Sequence, residues 1–302
     1  MKKFLSIIPL IFLLCFTFSC QQGEEVAAEK EVKPTIIVDN AISADGVSIA
    51  YEVRGEEEPA LVFVHGWSSN RSTWDIQIAH FSQKYKVVAI DLAGFGASGN
   101  NREKWTIGAF GEDVAAVIKQ IGLDDAVLIG SSMGGPVILE AAKRIPESIT
   151  GLVLVDVLQN IETVYSEERI SNIDRDYMDW VNEPTFWKIQ RGFVRNKVEL
   201  YKRWYSLVKD VSKVGWSESL KNLFRWANEE CTKSLQRIQA PITSINSDRS
   251  PTNVEAFKKY VPSFKVKIIT GVRHWVFWEA PEEFSRLLEE TIQEFVQKAK
   301  SK

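Results

Sequence analysis

One stretch constrains the fold more than any other, and it runs from Asp125 to Ile145. Four apolar residues follow Asp125 without interruption, which is too short and too continuous for a half-exposed helix and predicts a buried strand. The turn Gly-Ser-Ser-Met-Gly-Gly comes next. Beyond it, apolar residues recur on one face of a helix: Val137, Ile138, Ala141, Ala142 and Ile145. The chain is therefore predicted to run from strand through a sharp turn into a helix, with Ser132 at the tip of the turn.

Two glycines flank this serine. Gly130 and Gly134 lie two residues on either side of Ser132, and Gly-x-Ser-x-Gly between a strand and a helix is typical of a nucleophilic serine. A turn this sharp brings the strand end close to the helix start, so a side chain at either glycine would collide with backbone. The serine hydroxyl would lie at a helix N-terminus, which favours negative charge. The alternative is a glycine-rich turn that merely contains a serine, and the flanking strand and helix argue against it.

Residues 1–19 have the pattern of a secretion signal. Two lysines precede an apolar run from Phe4 to Phe18, which is too short for a comfortable membrane span. Cys20 then resembles the acylated cysteine of a bacterial lipoprotein box, although Thr17 stands where an aliphatic residue is usual. We expect lipidation at Cys20 and export to the bacterial cell envelope, with the protein lipid-anchored to a membrane. The alternative is an ordinary cleaved signal followed by an incidental cysteine.

The mature chain would be mildly acidic. Losing two lysines leaves 35 basic against 40 acidic residues, a formal charge of −5, which does not suggest a nucleic-acid partner. Cys15 leaves with the signal and Cys20 would carry lipid. Only Cys231 remains, so no internal disulfide is expected. Residues 20–33 are polar and lack aromatic side chains, which predicts a flexible tether.

Strand and helix patterns alternate from residue 34 to residue 159, which predicts an α/β fold with a mostly parallel sheet flanked by helices. A hairpin signal at Asp45-Gly46 comes first, and buried strands are predicted at 60–64, 87–90 and 149–155. The alternation stops over 160–239 and resumes over 240–302. The interrupting segment is helical in composition and rich in large aromatic residues. We expect it to form an inserted helical cap on a core of residues 34–159 and 240–302.

A nucleophilic serine needs a base, usually a histidine that a carboxylate orients, and the chain has three histidines. His80 lies in a helix pattern and is expected at the surface. His65 directly follows a buried strand, where a local structural role is expected. His274 lies in a loop after the last predicted strand, where a side chain can reach over the sheet edge. We therefore predict His274 as the base.

Two aspartates compete for the orienting role. Asp156 ends one strand, and Asp248 follows the next strand, 26 residues before His274. Function gathers at the carboxyl ends of strands in open α/β sheets, and both positions satisfy that condition. Asp248 lies in a polar turn that can project it freely, whereas Asp156 could simply cap its strand. We favour Asp248 and keep Asp156 as the alternative.

The order Ser132, Asp248, His274 is that of the α/β-hydrolase superfamily, which the sequence resembles over about residues 36–295. The resemblance is carried by short motifs: His65-Gly66-Trp67, Asp91 to Ser98, Gly130 to Gly135, Asp248, Gly271 to His274 and Glu279 to Phe284. The chain looks like the branch of capped esterases, C–C bond hydrolases, haloperoxidase-like enzymes and dehalogenases. The resemblance implies an oxyanion hole made by the backbone N–H groups of Trp67 and Met133, each worth about 3 kcal/mol in the transition state.

Two departures from the family pattern bear on the chemistry. Haloalkane dehalogenases and epoxide hydrolases of this fold use an aspartate as nucleophile, whereas Ser132 at that position implies acyl transfer. The strand before Asp248 ends in Ile-Asn-Ser rather than near a glycine. That difference bears on the loop geometry around the acid.

The sequence carries no pattern for a metal or a cofactor: it has no H-E-x-x-H, no paired cysteines and no G-x-G-x-x-G after a strand. We therefore predict a serine hydrolase that needs neither and cleaves an ester or related acyl bond in a small, mostly apolar substrate. One alternative is C–C bond or lactone hydrolysis at the same site, since the pocket sets that choice. Another is a ligand-binding or sensing protein that keeps the triad but turns over slowly.

Overall fold

The computed structural model describes residues 36–176, 193, 198–208, 211 and 213–301. The predicted signal peptide, Cys20 and the tether of residues 20–33 lie outside this part of the chain. Most of the segment 177–197 of the predicted cap lies outside it too. Within the described ranges, no helix combines the length and the apolar content that crossing a bilayer requires.

The described residues form one sheet of eight strands. The strands are β1 (Ile36–Ile42), β2 (Ser48–Arg54), β3 (Ala60–Val64), β4 (Val87–Ile90), β5 (Ala126–Ser131), β6 (Ile149–Val155), β7 (Ile242–Ser247) and β8 (Lys265–Ile269). Their order across the sheet is β1-β2-β4-β3-β5-β6-β7-β8. β1 and β2 form the predicted hairpin, β2 pairs antiparallel with β4, and all remaining neighbours are parallel. The predicted α/β fold class, with a mostly parallel sheet, is confirmed.

Helices cover both faces of the sheet. They are α1 (Asp75–Phe81), α2 (Ile107–Ile121), α3 (Gly134–Ala142), α4 (Glu167–Ser171), α5 (Val198–Val208), α6 (Lys213–Glu229), α7 (Cys231–Arg237), α8 (Val254–Lys258), α9 (Val276–Glu279) and α10 (Pro281–Lys300). Short 3₁₀ turns at Arg71–Trp74 and Pro146–Ser148 connect some of these elements. α2 and α3 contribute to the apolar core on one face, and α1, α9 and α10 contribute to the core on the other.

The amino-acid sequence accounts for these boundaries locally. The Thr106 side chain accepts a hydrogen bond from the backbone N–H of Ala109 and caps the start of α2. Gly122, with φ +72°, ends the same helix in the left-handed conformation that favours glycine. β3 and β5 are buried along their whole length, as continuous apolar runs predict for strands covered on both faces.

Between β6 and β7, the described residues form helices α4 to α7 and no strand. Several of the aromatic side chains in this segment are fully packed, with Trp204 and Trp216 only 2 % and 0 % exposed. α6 contacts α2, and α7 contacts α3. The inserted segment is therefore packed against the helix that follows the candidate nucleophile.

Candidate active site

Ser132 lies between β5 and α3, at the tip of the turn that the sequence predicts. Its φ of +51° places a residue with a side chain in the left-handed region, which is uncommon outside strained turns. Its backbone N–H donates to the carbonyl oxygen of Val155 at 3.1 Å. Because Val155 is the last residue of β6, the serine stands beside the carboxyl end of the neighbouring strand.

The two glycines of the motif are required by close backbone contacts. A Cβ atom at Gly130 would lie 2.2 Å from the carbonyl oxygen of Gly134. A Cβ atom at Gly134 would lie 2.5 Å from the carbonyl oxygen of Val64 in β3. Both distances are far below van der Waals contact, and the atoms that would be struck belong to the backbone and cannot move aside. Close packing of the turn against the start of α3 and against β3 thus explains the Gly-x-Ser-x-Gly spacing.

The structure brings Asp156 and His274 together. Oδ2 of Asp156 lies 2.8 Å from Nδ1 of His274, a hydrogen-bonding distance between residues 118 positions apart. The Asp156 side chain is 3 % exposed and that of His274 is 17 % exposed. Asp156 directly follows β6, and Ser132 directly follows the neighbouring strand β5. The serine and the aspartate–histidine pair therefore lie at the same carboxyl edge of the sheet.

Asp156 is held by Ser247, the last residue of β7. Oδ1 of Asp156 accepts hydrogen bonds from the backbone N–H of Ser247 at 2.8 Å and from its hydroxyl at 2.7 Å. Burial alone would raise the pKa of the Asp156 carboxyl, but the hydrogen bonds from His274 and Ser247 outweigh it and hold the pKa below its usual value. The carboxylate thus stays ionised beside the imidazole.

Asp248 does not contact His274 through its carboxylate, so the prediction that it orients the imidazole is wrong. It is an exposed residue, and Oδ2 of Asp248 accepts instead from the backbone N–H of Gly271 at 3.0 Å. Asp156, the alternative acid that the sequence allows, lies at Nδ1 instead. The physical reason is the order of the strands: Asp156 follows β6, and Ser247 at the end of the neighbouring β7 donates two hydrogen bonds that hold its carboxylate beside His274.

The other two histidines behave as the sequence indicates. Nδ1 of His65 lies 2.7 Å from the carbonyl oxygen of Gly66, and its Nε2 accepts from the backbone N–H of Leu92 at 3.0 Å. Both ring nitrogens are therefore engaged in the turns after β3 and β4, and complete burial lowers the pKa of this imidazole. His80 is exposed at the end of α1. His65 has the local structural role that its position predicts.

The residues predicted to form an oxyanion hole flank the serine. A Cβ atom at Gly66 would lie 3.0 Å from Cβ of Ser132, so the turn that carries Trp67 passes directly against the serine. Met133 follows Ser132 at the start of α3 and is 0 % exposed. Their role as donors stays a prediction.

Aromatic rings surround the histidine. The ring of Phe193, from the inserted segment, meets the His274 imidazole edge to face with 5.6 Å between ring centroids. Trp275 packs on the histidine at 6.0 Å and on Trp204 of α5 at 4.9 Å. The guanidinium of Arg249 lies over the Phe193 ring at 5.3 Å. The imidazole is thus lined by apolar faces, with a positive charge at their outer side.

A polar cavity of about 460 Å³ opens elsewhere, between the start of α1 and the inserted segment. The described residues that line it include Glu52, Arg71, Asp75, Asp91, Ser206 and Leu207, but not the serine, the Asp156 carboxylate or His274. Much of its charge is paired internally, since the Arg71 guanidinium bonds to the Asp91 carboxylate. This cavity is not the site of the predicted chemistry.

Sequence reasoning missed two residues of the site, Ser247 and Phe193. Ser247 lies in the same polar turn as Asp248, but its hydrogen-bond partner is 91 positions away in the chain, so no local signal marks it. Phe193 was one aromatic residue among many in the inserted segment.

Among the described residues, no group of three or more histidine, cysteine, aspartate or glutamate side chains could hold a metal ion.

Comparisons with known proteins agree with this class of fold. The profile of the alpha/beta hydrolase fold matches residues 59–281. The 3-oxoadipate enol-lactonase 2 of Acinetobacter baylyi is 24 % identical over 269 residues, covering 87 % of this chain and 99 % of that protein. The bifunctional esterase/perhydrolase DCH of Acinetobacter calcoaceticus is 23 % identical over 227 residues, covering 68 % and 79 %.

A solved structure shares the fold over nearly its whole length. The thermophilic esterase from Thermogutta terrifontis superposes with a TM-score of 0.73 at 22 % identity, covering 86 % of this chain and 99 % of that one. The family match and these relatives define the class as hydrolytic enzymes. The chain belongs to the alpha/beta hydrolase fold family, and it is an esterase- and enol-lactonase-like hydrolase.

Proposed function

We propose that this hydrolase cleaves an ester or related acyl bond in a small, mostly apolar substrate through a Ser-His-Asp triad and an acyl-enzyme intermediate. The observation that carries the proposal is the contact of 2.8 Å between Asp156 and His274, at the sheet edge where Ser132 also lies. Ser132 is the nucleophile, His274 the general base and acid, and Asp156 the orienting carboxylate. This assignment replaces the triad acid predicted from the sequence and keeps the other two residues.

The roles follow from the hydrogen bonds. Asp156 can only accept at Nδ1, so the neutral imidazole of His274 carries its proton there and leaves Nε2 free to take the proton of Ser132. The alkoxide oxygen bonds to the substrate carbonyl carbon as that proton moves, and the carbonyl oxygen becomes negative. The backbone N–H groups of Trp67 and Met133 would donate to that oxygen.

Collapse of this tetrahedral intermediate completes the first half of the reaction. The bond to the leaving group breaks, His274 returns its proton to the leaving oxygen, and the acyl group stays on Ser132. Water then attacks the acyl carbon with the same histidine as base, which releases the acid and restores the serine. The buried, ionised Asp156 stabilises the imidazolium that forms in each half.

The aromatic faces beside His274 support a mostly apolar substrate. Phe193, Trp204 and Trp275 form a continuous set of ring contacts beside the imidazole, and sites for small apolar groups are lined mainly by aromatic and aliphatic side chains. We infer that the inserted helices act as a cap and contribute much of the pocket. A lactone is the second candidate substrate, because a lactone is a cyclic ester and a relative named as an enol-lactonase matches along 99 % of its length.

We also propose that the protein is exported to the bacterial cell envelope and lipid-anchored to a membrane through Cys20. The support is the sequence of the first 20 residues, with two lysines, an apolar run and a cysteine directly after Ser19. Residues 20–33 would link the anchor to the hydrolase. The substrate would then be met outside the cytoplasm.

Turnover and covalent labelling together test the proposed function. Wild-type protein should hydrolyse p-nitrophenyl acetate and butyrate, and a fluorophosphonate probe should label it at Ser132. Ser132→Ala should abolish the labelling and lower turnover by several orders of magnitude while the protein stays folded, because the triad acts as a unit. Ser131→Ala is the matched control, since it removes the neighbouring hydroxyl and should keep the label.

The outcomes separate the candidates. Faster opening of simple lactones than of linear esters would favour the lactonase. Rapid labelling with tight ligand binding but without turnover would favour a sensing protein. Labelling that survives Ser132→Ala would refute the nucleophile.

A further inference from the structure

We propose that helix α6 of the inserted segment positions the oxyanion hole, with Trp216 and Glu140 as positioning residues. The inference rests on the proposed function, in which the backbone N–H groups of Trp67 and Met133 are the two donors. These donors come from different parts of the sheet edge, one after β3 and one after β5. Something must therefore hold the two turns at the separation that lets both donate to one oxygen.

The first contact ties α6 to the turn after β3. The indole Nε1–H of Trp67 donates to the main-chain carbonyl oxygen of Trp216 at 2.8 Å, across 149 residues. The two indole rings also pack together, with centroids 4.3 Å apart. Trp216 is 0 % exposed, so water does not compete for this contact, and a hydrogen bond in such surroundings is stronger than one at the surface.

The second contact ties the other end of α6 to the nucleophile helix. The indole Nε1–H of Trp226 donates to Oε1 of Glu140 on α3 at 2.9 Å. Lys143 and Ser234 donate to the same oxygen at 2.6 Å and 2.7 Å. Burial would raise the pKa of the Glu140 carboxyl, but these hydrogen bonds outweigh it and lower the pKa to about 2. The acceptor on α3 is therefore an ionised carboxylate at neutral pH.

One helix is thus bonded through an indole group to the Trp67 turn and, through another, to α3, the helix that begins after Met133. α6 reaches the Trp67 turn near its start and reaches α3 near its end, and α3 begins directly after Met133. A helix of 17 residues is a rigid spacer, because its own backbone hydrogen bonds fix its length. Donors act on an oxyanion only within about 2.7–3.1 Å, so a shift of either turn reduces catalysis before it reduces binding.

Trp67→Phe tests the inference while keeping the aromatic ring and the backbone N–H. It removes the indole donor to the Trp216 carbonyl and reduces the ring contact with Trp216, while a six-membered aromatic ring stays at this position. With p-nitrophenyl acetate we expect kcat to fall about 10-fold and KM to change less than about 2-fold, since a small displacement of a catalytic group costs rate rather than affinity. The rate constant for fluorophosphonate labelling of Ser132 should fall to a similar extent, because the phosphoryl oxygen occupies the same hole.

Trp278→Phe is the matched control. It removes a buried indole bond to a main-chain carbonyl, that of Thr73 at 2.7 Å, which lies outside the contacts of α6. Its loss of stability should resemble that of Trp67→Phe, but kcat should stay at the wild-type value. Trp226→Phe, which leaves Glu140 bonded to Lys143 and Ser234, should lower kcat by less than Trp67→Phe does.

An unchanged kcat in folded Trp67→Phe, or an equal fall in Trp278→Phe, overturns the inference. If Trp67→Phe does not fold, Trp216→Phe tests the inference instead. The loss of ring contact should lower kcat about 3-fold at constant KM. An unchanged kcat in this variant overturns the inference. A wild-type protein that is labelled but cleaves no ester refutes the proposed function alone, because the labelling rates still test α6. A wild-type protein that is neither labelled nor active refutes both.

Discussion

The substitution Asp156→Asn tests the assignment of the triad acid most directly. Asparagine has nearly the shape of aspartate, so the packing of this buried side chain is kept. Asp156 has φ +46°, and asparagine tolerates that left-handed conformation better than most residues do. The change therefore removes charge and acceptor character at one atom without straining the backbone.

The hydrogen bonds of the site predict which way the new amide turns. The backbone N–H of Ser247 can only donate, so the amide oxygen of the asparagine must stay on the side of Ser247. The NH₂ group then faces Nδ1 of His274, where it can only donate. The imidazole is forced to carry its proton on Nε2, and it can no longer accept the proton of Ser132.

The expected loss is large because the wrong tautomer removes the base. Changing the orienting carboxylate to an amide costs about 10⁴-fold in kcat, or about 5 kcal/mol of transition-state stabilisation. KM should change little, since Asp156 contacts the histidine and Ser247 rather than the substrate. Asp248→Asn is the matched control. Its amide oxygen can still accept from Gly271, so kcat should stay within about 3-fold of wild type.

Two measurements decide the matter. Steady-state hydrolysis of p-nitrophenyl butyrate gives kcat for both variants. Nitrogen-15 spectra of protein labelled at histidine give the tautomer of each imidazole. The chain has only three histidines to assign, and His65, whose two ring nitrogens are both hydrogen-bonded, serves as an internal reference. A 10⁴-fold loss in Asp248→Asn with a near-normal Asp156→Asn would refute the reasoning, as would an unchanged His274 tautomer in Asp156→Asn.

Two further predictions concern stability and location. The pKa of Glu140 is lowered from 4.5 to about 2, so its ionised form contributes stability above pH 4.5 that is lost as the pH falls through about 2. Urea unfolding of Glu140→Gln should show up to about 3 kcal/mol less stability than wild type at pH 7, and a gap that persists undiminished at pH 2 would contradict this. Cys20→Ser should move the protein from membrane fractions to soluble envelope fractions, because stable anchoring needs more than one acyl chain and a tri-acylated cysteine provides it. Wild-type protein recovered wholly in the soluble fraction would rule out the anchor.

Local pattern was sufficient for the fold class and for two of the proposed catalytic residues. The signals around Ser132 all lie within 20 residues: the apolar run, the turn glycines and the apolar face of the helix. They lie so close together because a sharp strand-to-helix turn restricts which side chains fit at the neighbouring positions. His274 could be chosen because only three histidines exist and the other two had local structural interpretations. Alternating buried strands and amphipathic helices then indicated a parallel sheet.

The triad acid and the contacts of α6 with the site depend on the packing of distant parts of the chain. Asp156 and Asp248 both follow strands, and nothing near either residue says which strand end lies beside the histidine. The sheet order decided it, because β6 neighbours the nucleophile strand and Ser247 at the end of β7 supplies two donors to Asp156. The bond between Trp67 and Trp216 likewise joins residues 149 positions apart. Steric and periodic signals act between sequence neighbours, whereas hydrogen-bond partners in a folded site are selected by which elements pack together.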